Sequence, residues 1–217
     1  MTWTVETIVF DFDGVLVDTG VDIANAANFM LHSLGLEEQP VDRIISYIGG
    51  GAEPLVRKCL SEQVETLYDQ GLAIFKKRYA ENYFVETKLY PGAQQVLEHY
   101  ARMHKNMGIA TNKVGRLTQG ILNGLSINQY FPVIIGPESI THRKPDPEAV
   151  MKVLEYFRTP PGQALMIGDT PEDLLAGKSA GTLTCGVTYG FGSIESVESA
   201  EPDFILNDLS ELPRFID

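Results

Sequence analysis

Six short apolar runs recur along the chain, at residues 7–10, 107–110, 133–135, 164–167, 183–187 and 204–206, each followed by Asp, Thr, Gly or Asn. Runs this short, apolar on successive positions, predict strands buried on both faces. Residues 92–103, 115–125, 147–157 and 171–180 instead carry apolar side chains at three- and four-residue spacing and predict amphipathic helices. The alternation predicts an α/β core, a doubly wound, Rossmann-like parallel sheet with helices on both faces and right-handed crossovers.

One region departs from this rhythm. Between residues 15 and 87 the pattern is almost wholly helical, at 21–34, 41–47, 52–60 and 63–82, with Gly35 and Gly49-Gly50-Gly51 as breaks. This predicts an α-helical cap, residues 15–87, inserted after the first strand, and a core formed by 1–14 and 88–217. Residues 15–18 and 85–91 are the expected hinges.

Composition narrows the function classes. The chain has 217 residues, 44% hydrophobic and 21% charged, enough for one large domain with an insertion. With 17 basic against 29 acidic side chains the net charge is −12, and no Lys/Arg cluster provides the footprint that binding nucleic acid or an anionic membrane requires. Anion chemistry in such a chain needs a concentrated site of isolated cations, metal ions or backbone N–H groups. Cys59 and Cys185 lack paired spacing, and neither a basic leader nor a long apolar stretch is evident, so a cytoplasmic monomer or homodimer is expected.

Ligands of open α/β sheets bind beyond the carboxyl ends of the strands. Those ends read Asp11-Phe12-Asp13-Gly14, Thr111-Asn112-Lys113, Lys144-Pro145-Asp146-Pro147 in the loop after residue 135, and Gly168-Asp169-Thr170-Pro171-Glu172-Asp173. Singly, each has an ordinary reading: a turn, a helix N-cap, a solvated loop charge, a helix start with Pro in its first turn. His32, His99, His104 and His142 show no ligand spacing, and Gly49-Gly50-Gly51 lacks the Lys-Ser/Thr of a nucleotide P-loop.

Taken in order, the four segments resemble the haloacid dehalogenase superfamily, in its magnesium-dependent phosphatase branch, over essentially the whole chain. The first motif of that family, Asp-x-Asp-Gly-x-x-x-Asp, is Asp11 to Asp18; the second is Thr111; the third Lys144; the fourth the acidic pair Asp169 and Asp173. The resemblance implies Asp11 as nucleophile, forming an aspartyl-phosphate, and Asp13 as general acid and then base. It implies Mg²⁺ held by the Asp11 and Asp169 carboxylates and the Asp13 carbonyl, with Asp173 in the outer shell. Thr111, Asn112 and Lys144 would bind the substrate phosphate. The chemistry is coherent: a carboxylate of ordinary pKa is ionised at neutral pH and needs no activating base, and carboxylates gathered around a phosphate dianion demand a hard cation.

Individual residues choose among the branches. Dehalogenases lack the second Asp, which is present as Asp13. Mutases of the β-phosphoglucomutase type carry a cap His where this chain has Ile23. Residues 18–23, 48–52, 110–113 and 187–192 resemble phosphoglycolate phosphatases, and the loop with Gly50, Gly51 and Arg57 is expected to sense the leaving group. The expectation is a phosphomonoesterase acting on a small anionic phosphate ester, phosphoglycolate first. A pyrophosphatase, a sugar-phosphate phosphatase, a mutase and a non-catalytic phosphometabolite-binding regulator remain as alternatives.

Overall fold

The computed structural model describes residues 2–217. Its strands are β1 (Thr7–Phe10), β2 (Val17–Asp18), β3 (Lys88–Leu89), β4 (Asn106–Ala110), β5 (Ile134–Ile135), β6 (Ala164–Gly168), β7 (Leu183–Val187) and β8 (Phe204–Leu206). Six of them form one sheet in the order β5-β4-β1-β6-β7-β8, all pairs parallel. The expected α/β Rossmann-like core is therefore present, with β1 between the two directions of winding.

Successive residues of a strand point to opposite faces, and the two faces are filled separately. Ile8, Phe10, Ile109, Leu165 and Ile167 join one apolar cluster, together with buried residues of α5 (Ala93–Arg102) and α6 (Gly115–Gly124). Val9, Ala110, Ala164 and Met166 join another, with α7 (Glu148–Phe157) and α8 (Pro171–Ala180). Burying both faces explains why these strands are apolar without alternation. A last short helix, α9 (Ile194–Ser199), lies against α8 through Val197 and Leu174.

The helical region comprises α1 (Gly20–Ser33), α2 (Val41–Ile45), α3 (Ala52–Leu60) and α4 (Val64–Glu81). On α1, Ile23, Ala24, Ala27, Met30 and Leu31 form one buried stripe at helical spacing. That stripe packs with Ile44, Val56, Leu60 and Phe75 in a cluster distinct from the two that flank the sheet. Each fully buried Leu, Ile or Met contributes roughly 1.5–3 kcal/mol, so these four helices hold one another through an apolar cluster of their own.

The connections into and out of the insertion are paired, a feature that hydrophobic periodicity does not reveal in two-residue strands. Val17 lies opposite Leu89 and Asp18 opposite Lys88 in an antiparallel ribbon. The buried Asp22 carboxylate accepts the backbone N–H groups of Val85, Glu86 and Thr87 at 2.9–3.1 Å and the Thr87 hydroxyl at 2.7 Å. Both cysteines are buried free thiols, and among the described residues no helix is long and apolar enough to cross a membrane.

Candidate active site

Asp11 follows β1 directly, and its backbone N–H donates to the Ile167 carbonyl of β6 (2.9 Å), which keeps the two strand ends together. Asp169 follows β6, and Asp173 lies in the first turn of α8. Oxygen atoms of Asp11, Asp169 and Asp173 lie within 4.8 Å of one another, all three residues buried. Lys144 reaches into this cluster from its loop. Its Nζ donates to Asp11 Oδ1 (2.8 Å) and to the Ala110 carbonyl at the end of β4 (2.8 Å), and pairs with Asp173 Oδ1 (2.6 Å). One buried ammonium thus joins the ends of β1, β4 and α8.

The electrostatics follow from burial. Desolvation, reinforced by Asp173 and only partly offset by Lys144, pushes Asp11 up to about 7. The cause is local: a strand end flanked by other acids is dry and negatively charged, which favours the protonated carboxyl in the absence of a cation. Asp169 is raised well above its usual value by burial and then by Asp173 and Asp11, against the N–H groups of Phe191 and Gly192. Burial disfavours the Lys144 cation, but Asp11 and Asp173 outweigh it, so its pKa is raised.

The donor set fits a hard divalent cation. Asp169 Oδ2 accepts the Phe191 N–H (2.7 Å) and the Gly192 N–H (3.4 Å), whereas Asp169 Oδ1 is buried with no hydrogen-bond partner. A buried carboxylate oxygen left bare is costly. An oxygen-coordinated cation would satisfy it and lower the repulsion among the three acids. Gly14 makes this approach possible: it has φ +89°, and a Cβ there would collide with the Asp169 carboxylate. The Gly14→Ala protein is expected to fold yet bind divalent cation at least about tenfold more weakly by calorimetry, in line with disturbed metal-site support; unchanged affinity would separate Gly14 from the site.

Thr111 and Asn112 follow β4. The Thr111 hydroxyl accepts the Lys113 N–H (3.1 Å), and Thr111 N–H donates to the Ile135 carbonyl (3.0 Å), so Thr111 ends the sheet and does not cap α6, which starts at Gly115. The Asn112 side chain donates to the Gly49 carbonyl of the insertion (3.0 Å). Asp173 also accepts from the Thr170 hydroxyl (2.7 Å) and N–H (3.1 Å), so the helix-capping and ion-pairing roles coexist.

Between the strand ends and the insertion lies a cavity of about 220 Å³, with Asp11, Asp13 and Thr111 in its floor and Ile23, Leu55 and Phe75 in its wall. Gly51 lines it, and the Gly50 carbonyl accepts from Arg143 (3.4 Å). Arg57 is placed elsewhere: α3 turns Leu55, Val56 and Cys59 inward, and the exposed Arg57 guanidinium lies over the Tyr68 ring, 3.9 Å from its centroid. Arg57 therefore does not reach the cavity as the sequence reading expected. The rim cation is Arg143, paired with Glu53 (2.6 Å), which Lys76 also holds (2.7 Å). Burial opposes ionisation of Glu53, but these two partners bring it down to about 2.

Three residues that carry no sequence signature of their own surround Asp13. Asp13 Oδ1 accepts from the Thr19 hydroxyl (2.7 Å) and from Lys113 Nζ (3.0 Å), and Lys113 also donates to the Tyr79 hydroxyl of α4 (2.6 Å). Lys113 stands two positions beyond Thr111, and that adjacency was the available signal. Tyr79 sits on a helical stripe that reads simply as core.

A phosphoglycolate phosphatase of Aquifex aeolicus is 38% identical over 210 residues, 97% of this chain and 96% of its own. One from Vibrio parahaemolyticus is 32% identical, over 96% of this chain and 94% of its own. The crystal structure of a predicted phosphoglycolate phosphatase from Haemophilus somnus superposes with a TM-score of 0.90 at 27% identity, covering 97% of both chains. The profile of haloacid dehalogenase-like hydrolases matches residues 8–187, most of the chain and all four strand-end segments. This chain belongs to the haloacid dehalogenase-like hydrolase family.

Proposed function

We propose that this hydrolase is a Mg²⁺-dependent phosphomonoesterase working through an aspartyl-phosphate on a small anionic ester, phosphoglycolate first. The observation that carries the reading is the bare, buried Asp169 Oδ1 inside a cluster with Asp11 and Asp173, of which Asp11 lines the small cavity. The names of the relatives support phosphoglycolate as substrate.

In this mechanism the Asp11 carboxylate attacks phosphorus, the ester P–O bond breaks, and Asp13 protonates the departing oxygen. Water then attacks the aspartyl-phosphate, Asp13 takes its proton, and inorganic phosphate leaves. Asp11, Asp169 and the Asp13 carbonyl would hold Mg²⁺, with Asp173 in the outer shell, and the ion would supply charge neutralisation for the phosphoryl group. Lys144, the Thr111 hydroxyl and the Asn112 N–H bind its oxygens. Residues 15–87 act as a cap that closes over the cavity and excludes water. Ile23 in the cavity wall offers no acid or base, which favours hydrolysis over mutase chemistry. The free, buried thiols of Cys59 and Cys185 support a reducing, cytoplasmic setting.

Phosphate release across phosphoglycolate, pyrophosphate, sugar phosphates and an aryl phosphate, with and without Mg²⁺, is the test. Chelation is expected to slow release by about 100-fold or more, since the ion supplies several kcal/mol of charge stabilisation, and phosphoglycolate is expected to be the best substrate. Comparable rates on several esters would leave a broad phosphatase. Tight binding without release would favour the regulator reading, and isomerised sugar phosphate the mutase.

A further inference from the structure

We propose that Lys113 of the core and Tyr79 of the helical insertion together receive a carboxylate on the leaving group of the ester. The inference rests on the phosphatase reading and names the chemistry that selects the substrate within it.

Lys113 and Tyr79 both line the cavity and are both buried, at 8% and 5% exposure. A buried ammonium is costly without counter-charge, and Lys113 meets Asp13 Oδ1 at 3.0 Å but Asp13 Oδ2 only at 3.3 Å. The longer contact is the one that an incoming anion can replace. Tyr79 Oη accepts from Lys113 at 2.6 Å, which leaves its own O–H with no acceptor among the described residues. Burial pushes the Tyr79 phenol up to about 12, so it stays a donor at neutral pH. Lys113 Nζ and Tyr79 Oη thus stand side by side on the cavity lining, from two different elements, with the phenol O–H and the ammonium's longer Asp13 contact open to exchange. A carboxylate, with two acceptor oxygens and a charge opposite to that of Lys113, matches this pair.

The position of the pair fits the covalent structure of such a substrate. Lys113 is within hydrogen-bond distance of Asp13, which protonates the ester oxygen in the proposed mechanism. In phosphoglycolate the carboxylate carbon is two bonds from that oxygen, so a group neighbouring Asp13 is the one the carboxylate meets. The other basic residues of the cavity suit this task less well: Arg143 and Lys76 share Glu53 at the solvent-exposed rim and Arg116 is exposed, whereas Lys113 is buried. Because Tyr79 belongs to α4 and Lys113 follows β4, a carboxylate that accepts from both also ties the helical region to the sheet.

The test compares kcat/KM for 2-phosphoglycolate and for 2-hydroxyethyl phosphate, in which an uncharged hydroxymethyl group replaces the carboxylate, in the Mg²⁺-supplied parent, Lys113→Met and Tyr79→Phe proteins. Losing Lys113 removes a neighbour of Asp13 and lowers both rates by a common factor, so the readout is their ratio. That ratio is expected to fall about 30-fold in Lys113→Met and about 15-fold in Tyr79→Phe, as for lost hydrogen bonds to a charged group. A ratio unchanged within about threefold in both variants, with the parent active, overturns the carboxylate receptor and leaves the phosphatase reading standing. A parent that releases no phosphate from either ester overturns the phosphatase reading itself. A change in Tyr79→Phe alone would also overturn the proposal, because it would place the carboxylate away from the ammonium.

Discussion

The Asp11→Asn protein is expected to release phosphate on the order of 10⁴-fold more slowly than the parent, with its fold intact. The amide is no nucleophile, and substitution of a nucleophile that acts as a unit with its acid and its cations removes nearly all of the turnover. Far-ultraviolet circular dichroism separates this from unfolding, and release at more than about a hundredth of the parental rate would remove Asp11 from the nucleophile's role.

The same variant tests the electrostatics. Asp11 has a folded-state pKa of about 7 against an ordinary value of 3.8, so between those pH values the native protein holds a proton that the unfolded chain has already lost. Metal-free parent protein should therefore lose stability as pH rises from about 4 to about 7, by up to about 4 kcal/mol from this group. Asp169, also raised, acts with the same sign. Asp11→Asn should flatten the decline, and Mg²⁺ should abolish it in the parent by compensating the ionised form. Urea titrations at several pH values measure both effects; equal slopes in parent and variant would contradict the assignment.

Lys144→Met is expected to damage stability and turnover together. The ammonium is buried between Asp11 and Asp173 and also bonds the Ala110 carbonyl. Removing one member of a buried ion pair costs about 3–5 kcal/mol because the remaining charges lose their partner. Turnover should fall by about 100- to 1000-fold, the range for a lost group that stabilises developing charge. Asp173→Asn in the Lys144→Met background should be less harmful than in the parent, since the carboxylate has then lost the cation that justified its burial. Denaturation of the four proteins of this cycle gives the coupling, and strict additivity would show that Lys144 and Asp173 do not depend on one another.

Much of the candidate site is legible in the sequence because its parts stand at strand ends. Strands buried on both faces announce themselves as apolar runs, and the first polar residues after them, Asp11, Thr111 and Asp169, then occupy the carboxyl edge by topology alone. Lys144 is legible only through its resemblance to a family motif, since a lone Lys in a loop carries no periodicity. The Arg57 expectation failed for a local reason: on α3 the buried side is set by Leu55, Val56 and Cys59, and Arg57 falls outside it. Tyr79 and Lys113 went without a role because their meaning depends on a contact between α4 and the end of β4, 34 positions apart.

The sequence by itself determined the α/β alternation, the run of helices between β2 and β3 and the acidic strand ends, because these depend on hydrophobic period and on neighbours along the chain. Only the tertiary structure decided which charges meet. It placed one ammonium among Asp11 and Asp173, left Asp169 Oδ1 bare, paired the two connections of the insertion, and brought Tyr79 against Lys113. Such pairings depend on packing between distant segments, and the burial that packing creates turns ordinary acids and amines into groups that require a partner.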